Sequence, residues 1–286
     1  MNFKIGIMAD SFKTGVVEGI KKAGKLGADG VQLYTTYGEL DPMTVTDAKI
    51  AELRGALSLS GLAVSALCAD FGGHGFQVAS DNKERVEKSK RVVDMALKLD
   101  CNVVTTHIGV IPAVMCERKK IMAEACERLG EYADSMGAFF AVETGPEPSV
   151  VLKEFLDSLS SGGVRVNFDP ANLAMVIGED IPAAVRNLKD YIVHTHAKDG
   201  LMIKKTNPEL IYGTGEDIPA DVENENLKHS FYKEVPLGTG SVNFPKYLAA
   251  LAEVGYNGFL TIEREVGDDP AGDIAMAVGF LKEIIN

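Results

Sequence analysis

Eight short runs with the composition of β-strands recur along the chain, and most are separated by segments with the apolar spacing of helices. The predicted strands cover residues 3–10, 30–36, 63–70, 102–109, 138–145, 164–170, 191–199 and 258–265. The predicted helices lie around residues 14–26, 45–60, 81–99, 117–136, 149–160, 181–189, 244–254 and 271–284. This alternation is typical of a closed (β/α)8 TIM barrel, with a doubly wound open sheet as the competing α/β architecture. No GxGxxG motif follows the first strand, which disfavours the nucleotide-binding form of the open sheet.

The length of the chain and one long connection define its expected organisation. Because α/β barrels reach this size as one unit, we expect a single TIM-barrel domain over residues 1–286. Residues 200–240 are rich in Gly, Pro, Asn and acidic residues and form a long loop after the seventh strand. Such loops are usually functional or disordered, and this one would lie at the C-terminal rim, where barrel active sites are found. We predict that it is a lid over the site, and disorder without function is the alternative.

Charge and composition indicate a globular protein that acts on small molecules. A formal net charge of −12 disfavours nucleic acid as a partner, since nucleic-acid binders usually present a basic patch. We expect no membrane association, because no apolar run is long enough for a transmembrane helix. The start, MNFKIGIMAD, has too short an apolar stretch for a signal peptide, so we expect a cytoplasmic protein. The four cysteines lack CxxC spacing and are predicted to be free buried thiols.

Four of the last strands carry a residue that is able to bind a metal ion. Glu143, Asp169 and Glu263 end the fifth, sixth and eighth strands, and His196 lies on the seventh. Since parallel barrel strands bring their carboxyl ends to one rim, these side chains can surround a single point. Three carboxylates and an imidazole suit Mn²⁺, Mg²⁺ or Co²⁺, with Zn²⁺ as an alternative through the histidine. Unneutralised carboxylates would repel one another, so we predict one divalent metal ion, with Mn²⁺ favoured.

Three further polar residues are predicted at or just below this rim. His107 ends the fourth strand at the same level and is predicted to contact the substrate or a metal ligand, with a hydrogen-bonded core histidine as the alternative. Lys198 is predicted to bind a sugar hydroxyl or a phosphate, with an ion pair to Asp199 as the alternative. His194 lies one layer deeper on the face of His196, so we expect it to fill the barrel or to orient a metal ligand.

Four sequence motifs carry the metal-capable residues: VETG, NFDPAN, VHTHAKD and the tail VPLGTGSVNFPKYLAALAEVGYNGFLTIERE. Over nearly the whole chain, these motifs resemble the xylose isomerase-like barrel superfamily, in particular the sugar phosphate isomerase/epimerase group that includes the ketose 3-epimerases. The resemblance implies that Glu143, Asp169, His196 and Glu263 bind one divalent cation. It also implies a small sugar or sugar phosphate as the substrate, and a homo-oligomer as the assembly.

The resemblance further implies an isomerase or epimerase that acts through a metal-stabilised enediolate. Glu143 and Glu263, on opposite sides of the substrate, would remove a proton from one face and return one to the other. Members of the group that the chain resembles usually have a histidine three residues after the metal-binding aspartate, and here that position is Asn172. Asn172 is therefore predicted to bind the substrate in a different way. Relatives also often have a glutamate at the position of Gln32 and an arginine at that of Met202.

Three other functions are compatible with parts of the pattern. A lyase similar to inosose dehydratase would use the same fold and ligands but would expel a β-hydroxyl group. A phosphodiesterase of the apurinic-endonuclease type is disfavoured, because it uses several zinc ions and a DNA-binding surface, whereas this chain has five histidines and a net charge of −12. A non-catalytic sugar-binding barrel is disfavoured by the presence of all four candidate ligands.

Overall fold

The computed structural model describes residues 2–212 and 230–285, and within them eight parallel strands close into a barrel. In chain order the strands are β1 (Lys4–Met8), β2 (Gly30–Tyr34), β3 (Ala63–Cys68), β4 (Val103–Thr106), β5 (Phe139–Glu143), β6 (Val164–Phe168), β7 (Ile192–Ala197), β8 (Asp199–Met202), β9 (Tyr232–Val235) and β10 (Phe259–Ile262). All except β8 and β9 belong to the barrel, in the order β1-β10-β7-β6-β5-β4-β3-β2. The predicted TIM barrel is confirmed.

The helices lie close to the segments predicted from apolar spacing. They are α1 (Val16–Lys25), α2 (Asp47–Ser60), α3 (Ala79–Lys98), α4 (Glu117–Ser135), α5 (Ser149–Asp157), α6 (Ile181–Asn187), α7 (Phe244–Glu253) and α8 (Pro270–Ile285). Local chemistry fixes their ends: the Thr46 hydroxyl accepts a hydrogen bond from the Lys49 amide at the start of α2, and Gly61 ends that helix with a φ of 66°. Among the helices within the described ranges, none is both long and apolar enough to cross a membrane.

Alternation along the strands separates an apolar outer layer from a polar barrel interior. On β2, for example, Val31 and Leu33 are buried in the core between strands and helices, whereas Gln32 between them bonds to side chains inside the barrel. Because the strands are parallel, their C-terminal ends meet at one rim; Thr261 pairs with His196, and Glu143 with Asn167. Polar residues near the strand ends therefore converge there.

The segment predicted as a long loop, residues 200–240, contains secondary structure that the sequence does not reveal. Strand β8 pairs antiparallel with β9, with Gly200 opposite Glu234, and a short helical turn covers Glu209–Tyr212. The strand signal is weak because β8 begins with Asp and Gly, two residues that are uncommon in strands. The middle of the predicted lid, residues 213–229, lies outside the described residues.

Candidate metal centre and adjoining pocket

Four ionisable side chains converge at the C-terminal rim. Glu143 is the last residue of β5, Asp169 directly follows β6, His196 lies on β7, and Glu263 directly follows β10. These four strands are consecutive around the barrel, so their ends are neighbours. All four side chains are buried, and one potential ligand atom from each lies within 4.8 Å of those from the others. The structure thus brings all four predicted ligands together.

The imidazole of His196 lies between the three carboxylates. Its Nδ1 atom is 3.2 Å from Asp169 Oδ2, 3.3 Å from Glu263 Oε2 and 3.6 Å from Glu143 Oε1. Burial opposes protonation of the ring, but the carboxylates of Glu263 and Glu143 outweigh it and raise the pKa of His196 well above its usual value. A positive charge at this point is therefore strongly favoured, whether it is a proton on the ring or a bound cation.

Asp169 has a second role that fixes its orientation. The sequence Asp169-Pro170 starts the helical turn Pro170–Asn172, and Asp169 Oδ1 accepts hydrogen bonds from the backbone amides of Ala171 and Asn172 at 2.7 and 3.0 Å. Aspartate before proline is a favoured helix start, because its carboxylate satisfies amides that lack helical partners. With Oδ1 engaged in this way, Oδ2 faces His196.

Gln32, which is fully buried on β2, fixes the tautomer of the His196 ring. Its amide nitrogen donates to Thr105 Oγ1 over 2.9 Å, and its oxygen lies 3.1 Å from His196 Nε2. Asn167 Nδ2, a donor, lies 3.3 Å from the same ring nitrogen but also bonds to Glu143 Oε2 over 3.1 Å. The shorter contact, with the Gln32 oxygen, favours the neutral ring with its proton on Nε2, because an amide oxygen only accepts. The lone pair then lies on Nδ1, the atom that faces the three carboxylates. Gln32 therefore holds His196 in the tautomer that a metal ligand on Nδ1 requires.

The charges of the cluster fit one divalent cation. Lys198 Nζ lies 2.8 Å from Glu263 Oε2 and offsets one of the three carboxylate charges. The two remaining negative charges match the charge of a divalent ion. The donor set, three oxygens and one imidazole nitrogen, is the kind that Mn²⁺ and Mg²⁺ prefer. The residues present therefore fit the predicted metal ion.

Lys198 is buried and surrounded by carboxylates. Besides Glu263, it lies 2.7 Å from Glu265 Oε2 and 3.8 Å from Glu234 Oε2. Burial would lower the pKa of Lys198, but Glu263 and Glu265 outweigh it and raise the pKa well above its usual value. The alternative partner predicted for Lys198, Asp199, instead accepts four backbone hydrogen bonds of 2.8 to 3.0 Å, from Gly200, Gly238, Gly240 and Val242.

His107 and Asn172 both contact Glu143. His107 Nε2 is 3.4 Å from Glu143 Oε1, and Asn172 Nδ2 donates to the same oxygen over 3.1 Å. Burial alone would raise the pKa of Glu143, but the nearby His107 and His196 lower it. Gly145 allows Asn172 to approach: its φ is 139°, and a Cβ there would lie 2.4 Å from Asn172 Cβ. His107 and Asn172, two of the three residues predicted to bind substrate, are thus beside a candidate ligand.

His194 lies one layer deeper and has hydrogen-bond partners on both ring nitrogens. Nδ1 is 2.8 Å from Asn167 Oδ1, and Nε2 is 2.9 Å from Thr261 Oγ1. Burial and the neighbouring His196 hold the pKa of His194 well below its usual value. Asn167 also donates to Glu143 Oε2 over 3.1 Å, so this layer supports the cluster above it. As expected from its position, His194 fills the barrel.

A cavity of about 350 Å³ opens directly over the cluster and is large enough for a small molecule. Glu143, Glu263, His107, Asn172 and Lys198 line it. Nine further lining residues have no role assigned from the sequence: Tyr34, Cys68, Asp70, Met175, Tyr212, Tyr232, Glu234, Glu265 and Val266. A positional signal exists for four of them, because Tyr34 and Cys68 are the last residues of β2 and β3, and Asp70 and Glu265 end two of the strands predicted from sequence. The other five lie outside the barrel strands, where motif spacing gives no signal.

The chain has sequence similarity to proteins of one barrel family. The sequence model of the family described as xylose isomerase-like TIM barrel matches residues 20–284. A protein of Methanocaldococcus jannaschii described as uncharacterized protein MJ1311 is 26% identical over 196 residues, which make up 64% of this chain and 57% of that protein. The match therefore spans little more than half the length of this relative.

Solved structures share the fold over almost the whole chain. A xylose isomerase domain protein from Planctomyces limnophilus has a TM-score of 0.79 and 26% identity, and the match covers 99% of this chain and 96% of that one. A D-tagatose 3-epimerase-like protein has a TM-score of 0.74 and 18% identity, with 99% and 98% covered. At 18% identity, the second likeness shows the fold alone.

Proposed function

The chain belongs to the xylose isomerase-like TIM barrel family, and from this premise we propose that it is a divalent-metal-dependent isomerase or epimerase of a keto sugar or sugar phosphate. The observation that carries the proposal is the position of His196 Nδ1, within 3.6 Å of an oxygen of each of three buried carboxylates. Even with the ring protonated and Lys198 beside Glu263, three buried carboxylates leave one negative charge without a partner, which a structural salt-bridge network would not favour. A divalent cation in place of the ring proton would offset all three carboxylates together with Lys198.

In the proposed reaction, Glu143 and Glu263 transfer protons. They project from β5 and β10, the two ends of the run β10-β7-β6-β5, and so flank His196. A cation bound by the four residues would stabilise the negative charge that develops on the carbonyl oxygen of a substrate. One glutamate, in its ionised form, removes a proton from the carbon next to the carbonyl, and the other, which has first taken up a proton from solvent, delivers it to the opposite face. Proton exchange with solvent then restores both groups. Delivery to the same carbon gives an epimer, and delivery to the neighbouring carbon gives an isomer.

The electrostatics around both glutamates favour their ionised forms, the state in which either can accept the first proton. Burial would raise their pKa values, but Lys198 and His196 lower that of Glu263, and the two nearby histidines lower that of Glu143. Both side chains are therefore ionised at neutral pH and able to accept a proton. Lys198, 2.8 Å from Glu263, also provides a hydrogen-bond donor beside one of the two proposed proton-transfer groups.

The proposal is tested by metal analysis of the purified protein and by solvent-deuterium exchange. The protein, loaded with Mn²⁺, is incubated in D₂O with a panel of ketoses, inososes and their phosphates, and exchange at carbon is followed by NMR. Exchange without loss of water supports the proposal. Elimination of water would instead identify a lyase. Bound metal with no exchange into any compound of the panel would contradict the proposed chemistry and favour a sugar-binding barrel.

We also propose that the described parts of the predicted lid, residues 200–212 and 230–240, cover the pocket. Tyr212 lines it, with its ring 5.4 Å from that of His107, and Glu209 pairs with Arg118 of α4 through a two-point contact. An Arg118→Ala variant should loosen this cover and raise KM several-fold, with a smaller effect on kcat, because the reacting groups remain in place. An unchanged KM, measured with the substrate found in the exchange panel, would contradict a covering role.

A further inference from the structure

The pocket is lined by an excess of carboxylates. Five of its lining residues are acidic, whereas one, Lys198, has a permanently cationic side chain, counted over residues 2–212 and 230–285. The acidic residues are Asp70, Glu143, Glu234, Glu263 and Glu265. A further carboxylate, that of Asp169, lies directly behind them. A ligand that enters this cavity is therefore surrounded mainly by negative charge.

Lys198 is not available to bind an anionic group. Its side chain is 4% exposed, and Nζ already contacts Glu263 at 2.8 Å and Glu265 at 2.7 Å, with Glu234 at 3.8 Å. If this ammonium moved to a phosphate, it would leave the buried carboxylates that it now contacts without a partner, and leaving a buried charge unpaired is costly. Arg264 is also committed, since it bonds to Glu234 and Asp273 at 2.7 and 2.8 Å, and it does not line the pocket.

The carboxylates in and behind the pocket outnumber the positive charges that can offset them. Lys198, Arg264 and a divalent cation would supply four positive charges against six carboxylates, and Lys198 is shared between Glu263 and Glu265, at 2.8 and 2.7 Å. Asp70 and Glu265 are the more exposed acidic residues of the lining, and the Glu265 side chain is 52% exposed. His107 adds a positive charge only when it is protonated. The outer part of the pocket therefore repels anions even when the metal site is filled.

We infer that the pocket selects uncharged polyhydroxylated substrates, and that Asp70 and Glu265 determine this specificity by repelling phosphate and carboxylate groups. The inference rests on the proposed isomerase or epimerase function and narrows its substrate class. Ionised carboxylates are acceptors only, and the hydroxyl groups of a sugar are donors, so these residues bind a neutral sugar while they exclude its phosphate ester. Five carboxylates among the lining residues suit many hydroxyl donors.

Matched pairs of ketoses test the inference. Exchange from D₂O is measured with the Mn²⁺-loaded protein on D-fructose against D-fructose 6-phosphate, and on D-tagatose against D-tagatose 6-phosphate. The neutral member of at least one pair should have a kcat/KM about tenfold or more above that of its phosphate, as expected for a like charge at the separations of a small cavity. Glu265→Gln and Asp70→Asn should each reduce this ratio several-fold by improving exchange into the phosphate.

A matched control separates local from general charge effects. Glu131→Gln removes the same charge from an exposed position late in α4, away from the pocket, and should leave the ratio unchanged. A cooperative thermal unfolding transition establishes that each variant is folded. If either Glu265→Gln or Asp70→Asn does not fold, the other variant still tests the inference.

The outcomes distinguish this inference from the proposed function. Faster exchange into the phosphates by the parental protein, or a ratio that neither Glu265→Gln nor Asp70→Asn changes, would overturn the inference while the isomerase or epimerase chemistry stands. No exchange into any neutral or phosphorylated compound would overturn both.

Discussion

The two halves of the barrel rim differ in chemistry although they share one architecture. In the half from β5 to β10, four neighbouring strands present buried ionisable groups, and these are Glu143, Asp169, His196 and Glu263. In the half from β1 to β4, the strands end in Met8, Tyr34, Cys68 and Thr106, none of which is charged at neutral pH, so we call it the uncharged half. Its ionisable lining residues, Asp70 and His107, lie in the loops after the strands. The charged half can position a cation. The uncharged half provides an open wall beside it, against which a substrate can lie.

The comparison also shows that the halves are connected below the rim. Gln32 belongs to β2, in the uncharged half, yet its amide oxygen reaches His196 across the barrel at 3.1 Å. Ser65, on β3, lies 3.4 Å from the deeper His194. A closed barrel makes such contacts possible, because opposite strands face a common interior. The uncharged half therefore supports the candidate metal site although it contributes no ligand to the cluster.

The largest expected effect comes from substitutions in the charged half of the rim. Glu143→Gln and Glu263→Gln should each lower deuterium exchange about 10²- to 10⁴-fold, since each removes a proposed proton-transfer group and a candidate metal ligand. Tyr34→Phe, a change in the uncharged wall of the same pocket, should lower exchange less than about tenfold, because it removes at most one hydrogen bond to a substrate. Exchange at the parental rate in either glutamine variant would show that the glutamate concerned is not required.

A smaller effect is expected where the uncharged half supports the charged one. Gln32→Leu removes the acceptor that holds His196 in its Nε2–H tautomer, and it should weaken Mn²⁺ binding about 10- to 100-fold, the range typical for partners of metal ligands. Titration calorimetry measures this loss. Ser65→Ala is the control, since Ser65 contacts the deeper His194, and its effect on the Kd should be small. Equal losses in the two variants would indicate a general disturbance of the barrel rather than control of the ring.

The barrel and the convergence of the four candidate ligands were predictable from sequence, because both follow from rules that act along the chain. Strand periodicity places Glu143 and Glu263 at strand ends, and barrel closure makes those ends neighbours. Contacts that depend on side-chain direction were not predictable. Lys198 could pair with Asp199 next to it or with distant glutamates, and only the turn into β8 decides this; Asp199 faces the backbone amides. The contact of Gln32 with His196, 164 residues away, likewise depends on barrel closure.

The smallest expected effect concerns a carboxyl group that joins the two halves. Glu147 lies in the loop after β5, and its Oε2 accepts a hydrogen bond from the amide of Ile111, in the loop after β4, over 3.1 Å. Burial raises the pKa of Glu147 to about 8. The folded protein therefore keeps this proton at pH values where the unfolded chain, with a pKa of about 4.3, has released it. Stability should fall as the pH rises through this window and level off above it.

Glu147→Gln isolates this dependence, because the amide oxygen still accepts from Ile111 but does not titrate. Between pH 5 and pH 8, the free energy of unfolding of the variant relative to the parent should rise by about 1 to 3 kcal/mol, since each unit of pKa shift corresponds to about 1.4 kcal/mol. Urea unfolding at several pH values measures this change, and a constant offset from the altered side chain cancels in the comparison. The exposed Glu131→Gln serves as the control, and the difference between its free energy of unfolding and that of the parent should not change with pH. If the unfolding free energy of Glu147→Gln also changes with pH as that of the parent does, Glu147 is ionised in the folded protein, and the Ile111 amide donates to a charged carboxylate.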